Sequence, residues 1–379
     1  MQADVSADQK NLTAANNAFA FDLLKQIAGG RAGNVFISPY SVSTVLQMVS
    51  DGAAGTTKQE MESVLHLNGL AAKNAAGKSL DQSIVNGQSN VTLNLANSIW
   101  FRQGVKLKPE FAADCANYFS AKTGAVDFTS PQSALIINKW AEENTQGRIK
   151  NIVPSPMDPR TRVILANAIY FKGRWADEFD KSATKARAFA LADGTQMQVP
   201  MMQQLGHFDY FQTPEFQAAQ LPYAGGRLRM YLFLPVAASD IKKLLAGFNG
   251  TNWQSKILPQ FRNHEGTVSL PRFKMNFEIV LNQPLKALGV KRAFSPDADF
   301  SAMSAEKLFL SEVKQKSFVE VNEEGTEAAA VTTAPLRVSA VVRTEELFVM
   351  TLDHPFFFVI GDEATRSILF MGIVSDPGK

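Results

Sequence analysis

The sequence predicts an α+β fold in which helices open the chain and large β-sheets follow. In the N-terminal part, apolar residues recur every three to four positions, which is the helical period. From Val91 onwards, apolar residues alternate or form continuous runs rich in β-branched and aromatic side chains, which is typical of strands. The two patterns do not alternate regularly, so the sequence does not indicate repeated βαβ units.

The N-terminal elements are predicted helices. The apolar positions at helical spacing are Phe19, Leu23, Leu24 and Ile27, followed by Val42, Val45, Leu46 and Val49. Gly29-Gly30 is expected to end the first helix, and Ser38-Pro39 is expected to start the second. Thr56 and Gln59 have the spacing of a capping box, which predicts that a third helix begins there, before Met61.

The later elements are predicted strands with one helix among them. Apolar runs predict strands at residues 91–101, 163–171, 230–234, 268–270 and 316–322. A helix that contains Trp140 is expected to end near Gly147. Residues 356–360 are predicted to turn at Gly361-Asp362 and to return as residues 368–371, forming a buried hairpin.

Composition excludes several classes of protein. The chain has 379 residues, of which 45% are hydrophobic and 20% charged, which is enough to bury a large core. No Pro/Gly/Ser-rich linker divides it, so we expect one domain spanning residues 1–379 and a monomer. The net charge of +2 is spread along the chain, so nucleic-acid binding is not expected. No apolar run is long enough to predict a membrane span.

The sequence leaves the cellular location open. Residues 1–10 are polar and lack the apolar segment of a secretory signal. We expect a secreted or cell-envelope protein if a signal was removed before Met1, and a cytoplasmic protein otherwise. Cys115 is the single cysteine, so no intramolecular disulfide can form, and we expect it to be a buried structural residue.

Motifs for catalysis and for metal or phosphate binding are absent from the sequence. There is no G-x-S-x-G turn and no Gly-rich phosphate loop. The histidines lack the spacing of a zinc site; they are His66, His207, His264 and His354. We therefore predict that the protein is not an enzyme and that it needs no cofactor or metal.

The most informative segment follows the predicted strand at residues 316–322. Residues 323–334 are mostly small, and Gly325 can adopt backbone angles that are closed to other residues. Such a segment fits a hinge, a short Ala-rich helix or an inert exposed loop.

Side-chain alternation favours a hinge. In an extended strand, one face would hold only uncharged residues: Thr326, Ala328, Ala330, Thr332, Ala334, Leu336 and Val338. Glu327 and Arg337 fall on the other face. The segment is therefore suited to enter a β-sheet with its uncharged face buried. From Thr326 to Ser339 such a strand would span about 45 Å.

Several longer motifs match one known family. They are Asn34-Val35-Phe36-Ile37-Ser38-Pro39 with Ser41, then residues 137–149, 165–175, 354–358 and 369–372. In these motifs the chain resembles the serpins, from about Phe19 to Pro377. The resemblance implies three β-sheets, eight or nine helices and an exposed reactive loop at about residues 323–345. It is compatible with a bacterial member of the family.

The resemblance implies an irreversible suicide-substrate inhibitor of serine proteases and leaves cysteine proteases open as further targets. The protease attacks the reactive loop, forms a covalent acyl-enzyme complex, and is trapped when the cleaved loop inserts into the main sheet. A non-inhibitory serpin that acts as a carrier or chaperone is the alternative. The small hinge residues favour inhibition.

The resemblance also implies roles for individual residues. The inhibitory hinge corresponds to Glu323, Glu324, Gly325, Thr326, Glu327, Ala328, Ala329 and Ala330. The region under the middle of the main sheet, called the shutter, corresponds to Ser38, Ser41 and Asn167. In the shutter, Gln315 replaces the usual histidine, which removes a pH-sensitive group. Trp175 corresponds to the breach, where insertion begins.

The predicted scissile bond is Ser339-Ala340, fourteen residues beyond Gly325, a spacing common in the family. Small residues on both sides suit an elastase-like or subtilisin-like protease. Because the stretch to Pro355 is long for the family, other bonds stay open, namely those after Arg337, Val338, Val341 or Arg343. Pro335 cannot donate to a central ladder, so we expect it to slow late insertion.

Overall fold

The computed structural model describes residues 5–86, 91–236, 241–326 and 347–379. Its α-helices are α1 (Ala7–Gly29), α2 (Pro39–Asp51), α3 (Gly55–Val64), α4 (Lys73–Asn86), α5 (Pro109–Tyr118), α6 (Pro131–Asn144), α7 (Ile241–Ala246), α8 (Gly250–Asn252) and α9 (Asn282–Leu288). The longest helices lie in the first part of the chain, as the apolar spacing predicts.

The strands concentrate in the later part of the chain. They are β1 (Val35–Ile37), β2 (Val91–Arg102), β3 (Lys122–Val126), β4 (Val163–Arg174), β5 (Lys185–Ala190), β6 (Gln196–Gln212), β7 (Phe216–Pro222), β8 (Leu228–Pro235), β9 (Arg262–Pro271), β10 (Phe273–Val280), β11 (Leu310–Asn322), β12 (Gly325–Thr326), β13 (Phe348–Thr351), β14 (Phe356–Asp362) and β15 (Ser367–Val374). The predicted α+β class is confirmed.

In the described residues, the strands form two hydrogen-bonded networks. One is a six-stranded sheet in the order β10-β11-β12-β4-β2-β3, in which β11 also pairs directly with β4. The other has nine strands in the order β1-β15-β14-β8-β7-β6-β9-β13, with β5 paired to β6. β6 is 17 residues long. It pairs with β5 through residues 196–201, with β9 through residues 201–210 and with β7 through residues 210–212. The three implied sheets thus correspond to the six-stranded sheet and to two parts of the larger network.

The predicted capping box of the third helix is wrong. α3 begins at Gly55, and its N-cap, Ala54, makes no side-chain capping bond. The Ala54 N–H donates to the Asp299 carbonyl at 2.9 Å, and the Asp299 N–H donates to the Thr57 hydroxyl at 2.9 Å. Because this loop contact fixes the start of the helix, Thr56 lies inside the first turn instead of capping it.

The predicted position of the C-terminal turn is also wrong. β14 continues through Gly361-Asp362, and the turn lies at residues 363–366. Asp362 is buried, and its carboxylate accepts from the Arg227 guanidinium and from the Thr365 hydroxyl. These charge-assisted bonds let a polar residue extend a buried strand, so the turn comes later.

The free cysteine, Cys115, is a buried structural residue. Cys115 lies on α5 with 1% of its surface exposed. Burial, together with the nearby negative charge of Asp114, raises the pKa of its thiol to about 12. The thiol therefore stays protonated and unreactive at neutral pH.

A mostly buried carboxyl couples α4 to the rest of the fold and gives a pH prediction. Burial raises the pKa of Asp81 to about 6, although the Tyr40 hydroxyl donates to it at 2.6 Å. Its protonation therefore stabilises the fold fully below about pH 4, and this contribution is lost as the pH rises through about 6. When the pH rises from 4.5 to 7, the unfolding free energy of the wild type should fall by about 1–2 kcal/mol relative to that of Asp81→Asn. Urea unfolding at both pH values measures this, and an equal change in the two proteins contradicts it.

Candidate functional site

Two parallel strands in the centre of the six-stranded sheet form the candidate site. β4 and β11 pair from Val163 and Leu310 to Tyr170 and Phe318, and we call this stretch the seam. Beyond it the two strands separate, and β12 lies between them, antiparallel to both. The top of the sheet therefore already holds one more strand than its centre.

Buried polar side chains lie beneath the middle of the seam. This seam cluster consists of Ser38, Ser41, Asn97, Asn167 and Gln315, each at most 7% exposed. The Gln315 amide donates to Asn167 Oδ1 at 2.7 Å, which joins β11 to β4, and Asn167 donates to Ser41 and Asn97. The structure thus brings together the four shutter residues that the sequence singled out.

Ser38 and Gln315 connect the seam to α2. The Ser38 N–H donates to Gln315 Oε1, and Gln315 Nε2 donates to the Ser38 carbonyl, both at 3.0 Å. The Ser38 hydroxyl also caps α2 by accepting from the Ser41 N–H at 3.3 Å. An amide does not titrate near neutral pH, so these bonds do not depend on pH in that range.

Asn97 belongs to the seam cluster and was not predicted. It lies on β2 directly opposite Asn167. By strand alternation it also shares a face with the buried Leu93 and Ile99. The sequence did contain a signal for Asn97, because it is a polar residue at a position of the predicted strand whose neighbours on the same face are buried.

Glu323 fixes the chain where it leaves β11. The residue is 2% exposed, and its carboxylate accepts from Arg272 Nε at 2.8 Å and from the Thr184 hydroxyl. Burial alone would raise the pKa of Glu323, but the hydrogen bonds outweigh burial and leave the pKa below its usual value. The carboxylate is therefore charged at neutral pH. Glu324 forms an ion pair with Lys181 beside it.

Trp175 and Tyr223 hold the chain where it passes from β11 into β12. Trp175 Nε1 donates to the Asn322 carbonyl at 2.9 Å, and its ring stacks on Tyr223 with centroids 4.7 Å apart. The Tyr223 and Thr326 hydroxyls lie 2.8 Å apart, and both residues are 0% exposed. The aromatic pair therefore supports β12 from the core side.

Three contacts of the hinge were not predicted, namely Tyr223, Arg272 and Thr184. They lie 103, 51 and 139 residues from their hinge partners along the chain. Because they meet the hinge only in the folded protein, the local sequence held no signal for them.

Gly325 is the residue at which the chain turns back towards the seam. Its φ is +147°, and a Cβ there would lie 2.2 Å from the Gly173 carbonyl oxygen and 2.6 Å from the Arg174 Cα. Both are backbone atoms of β4, so neither can move cheaply. We expect Gly325→Ala to lower the unfolding free energy by about 1–3 kcal/mol more than Gly194→Ala does. Gly194 also has a positive φ, +83°, but nothing lies within 4 Å of its Cβ position. Equal losses in chemical denaturation would contradict the close approach.

The other predicted site residues lie outside the described part of the chain. They are Glu327, Ala328, Ala329 and Ala330 of the hinge, Pro335, the scissile pair Ser339 and Ala340, and the alternatives Arg337, Val338, Val341 and Arg343. Their roles stay predictions.

A family model described as Serpin (serine protease inhibitor) matches residues 14–377. The chain belongs to the serpin family. An uncharacterized serpin-like protein of Thermococcus kodakarensis is 38% identical over 374 residues, which cover 97% of this chain and 86% of that protein. The leukocyte elastase inhibitor of Bos taurus is also 38% identical, over 383 residues that cover 97% and 100% of the two chains. The solved structure of human thyroxine-binding globulin has a TM-score of 0.90 and 26% identity, covering 98% and 100%.

Serpins as a family are protease inhibitors and not catalytic enzymes, and the inhibitors among them have target proteases as partners. Within the described residues, no group of three or more His, Cys, Asp or Glu side chains is arranged to hold a metal ion. In the same part of the chain, no helix has the length and apolar content needed to cross a membrane.

Proposed function

We propose that this serpin is an irreversible suicide-substrate inhibitor of serine proteases, and of cysteine proteases by the same steps. After cleavage, its reactive loop would enter the seam as a new central strand. The position of β12 supports this proposal most strongly. Gly325 and Thr326 already lie between β4 and β11, with backbone pairing to both strands.

The register of β12 predicts where each later loop residue would arrive. An antiparallel continuation from Thr326 brings Thr332 between Asn167 and Gln315. Insertion must break the 2.7 Å hydrogen bond between these two side chains. The Thr332 hydroxyl can then bond to the groups that this leaves unpaired. The residues facing the core are the uncharged ones of the alternating pattern.

A cavity at the foot of the seam has room for the last inserted residues. Its volume is about 480 Å³, and Thr161, Leu310 and Ser311 are among the residues that line it. The same register brings Leu336 close to Ser311. The end of the inserted strand would therefore lie beside an existing void.

Trapping requires that insertion follows acylation and precedes hydrolysis. The protease serine hydroxyl adds to the Ser339 carbonyl carbon, and an ester forms as the bond to the Ala340 nitrogen breaks and that nitrogen takes a proton. Insertion of residues 326–339 then carries the ester-linked protease about 45 Å. If the protease is displaced before water attacks the ester, the covalent complex persists.

We also propose that the chain acts as a monomer of a single domain, residues 1–379. Contacts between its two ends support the single domain. The Asn17 amide on α1 donates to the Arg366 carbonyl at 2.8 Å and accepts from the Ile368 N–H at 2.9 Å. The N-terminal helix is therefore part of the same core as the last strand.

The test is incubation with pancreatic elastase, trypsin and subtilisin, followed by denaturing gels and mass spectrometry. We expect a complex with at least one protease that survives denaturation, and a released C-terminal fragment that begins at Ala340. Cleavage by all three proteases with no such complex would contradict inhibition. That result would favour a carrier, the other kind of serpin, represented here by thyroxine-binding globulin.

A further inference from the structure

One arginine bridges the two strands at the upper end of the seam. Arg148 follows α6, and its guanidinium lies over the Phe318 ring of β11, 5.4 Å from the centroid. The guanidinium also lies beside the Tyr170 hydroxyl of β4, and its charge lowers the pKa of that hydroxyl, although burial raises the pKa overall. Phe318 and Tyr170 are the last directly paired residues of the seam. A single side chain therefore contacts both strands at the point where they begin to separate.

The bridge lies on the face of the sheet that α6 covers. Ala166 and Ala168 of β4 pack with α6, and strand alternation puts Tyr170 on the same face. Tyr170 and Phe318 are 2% and 3% exposed, whereas Arg148 itself is exposed, so its guanidinium covers two buried rings from the solvent side.

A second cation provides a natural comparison. Lys274 of β10 lies over the same Phe318 ring, 5.5 Å from the centroid, and pairs with Glu320 at 3.2 Å. All of these contacts lie on the β10–β11 side of the seam. Of the two cations on Phe318, Arg148 is the one that also reaches β4.

We infer that Arg148 is a latch that holds the upper seam closed and sets the rate at which the loop enters it. The inference rests on the proposed function and adds a positioning residue to it. The register of β12 brings Ala329 between Tyr170 and Phe318, three residues beyond Thr326. To admit a strand, the distance between β4 and β11 must grow from about 4.8 Å to about 9.6 Å. Arg148 must therefore release one partner before Ala329 can pair.

The segment around Arg148 has other attachments, so removing the latch should leave the fold intact. The Lys316 ammonium donates to the Asn151 carbonyl at 3.1 Å, which ties the segment after α6 to β11 alone. The Asn138 amide donates to the Val153 carbonyl at 3.0 Å and accepts from the Val153 N–H at 2.9 Å. Neither contact crosses the seam.

The first test compares three variants of the full chain by hydrogen–deuterium exchange. Arg148→Ala removes the bridge, Tyr170→Phe removes its partner on β4, and Lys274→Ala removes the other cation on Phe318. We expect exchange of peptides covering residues 163–174 and 310–322 to rise about tenfold in the first two variants, and less than about twofold in the third. Wild-type exchange in Arg148→Ala, or an equal rise in Lys274→Ala, would overturn the latch.

The second test links opening to insertion. A synthetic peptide with the sequence of residues 326–339 is mixed with each protein, and its uptake is followed on native gels. Uptake should be about tenfold faster in Arg148→Ala and Tyr170→Phe than in the wild type or Lys274→Ala. If the wild type forms no covalent protease complex while the exchange differences hold, the proposed function fails and the latch stands. If the complex forms and neither exchange nor uptake differs, the latch fails and the proposed function stands.

Discussion

Thr326→Arg is expected to convert the inhibitor into a substrate, raising the number of molecules consumed per protease trapped by more than about tenfold. Thr326 is fully buried between β4 and β11, and its hydroxyl contacts Tyr223. An arginine there would place an unpaired charge in the core, which costs several kcal/mol. Insertion would then slow, and hydrolysis of the acyl bond would release the protease first.

The measurement is a titration of a fixed amount of the protease that the wild type traps. Thr326→Ser is the matched control, because it keeps the hydroxyl that reaches Tyr223 and adds no charge. Its stoichiometry should stay within about twofold of the wild type. An arginine variant that inhibits with the wild-type stoichiometry would show that Thr326 does not remain buried during inhibition.

Glu323→Gln should lower the unfolding free energy of the uncleaved protein by about 1–3 kcal/mol. The carboxylate is 2% exposed and pairs with Arg272, so the change replaces a buried charged partner with a neutral one. Arg272 keeps 44% of its side chain exposed, which makes the loss smaller than for a fully buried pair. Chemical denaturation at neutral pH measures the effect.

Glu320→Gln is the control for that experiment. Glu320 pairs with Lys274 at 3.2 Å, but both side chains are partly exposed, so a loss below about 0.5 kcal/mol is expected. The pH dependence gives a further check. Because the pKa of Glu323 is lowered, its contribution is complete above the usual pKa of glutamate and is lost as the pH falls through the lowered value. A gap between wild type and Glu323→Gln that does not shrink in acid would contradict the ion pair.

The helices and long strands were predictable because each depends on a pattern within one segment. The apolar run at residues 163–171 predicts β4, and the spacing of Phe19 to Ile27 predicts the C-terminal half of α1. The errors arose where a contact between distant segments overrides a local signal. Asp299 fixes the start of α3, and Arg227 allows the buried Asp362 to extend β14.

Some residues of the candidate site could be predicted from the sequence and others could not, and this difference has a physical cause. Gly325 and Thr326 are recognisable because small size and alternation are properties of the segment itself. Tyr223 and Arg148 are not, because their roles exist only where separate strands meet. The sequence therefore identified the segment that is proposed to move, but not the residues that hold it.

The most direct test of loop insertion is the thermal unfolding of the protein before and after cleavage within residues 327–346. If the cleaved loop enters the seam, it gains backbone pairing on both sides, and the unfolding midpoint should rise by more than about 10 °C. Amide exchange in β4 and β11 should slow at the same time. A cleaved protein that unfolds at or below the midpoint of the intact protein would contradict insertion.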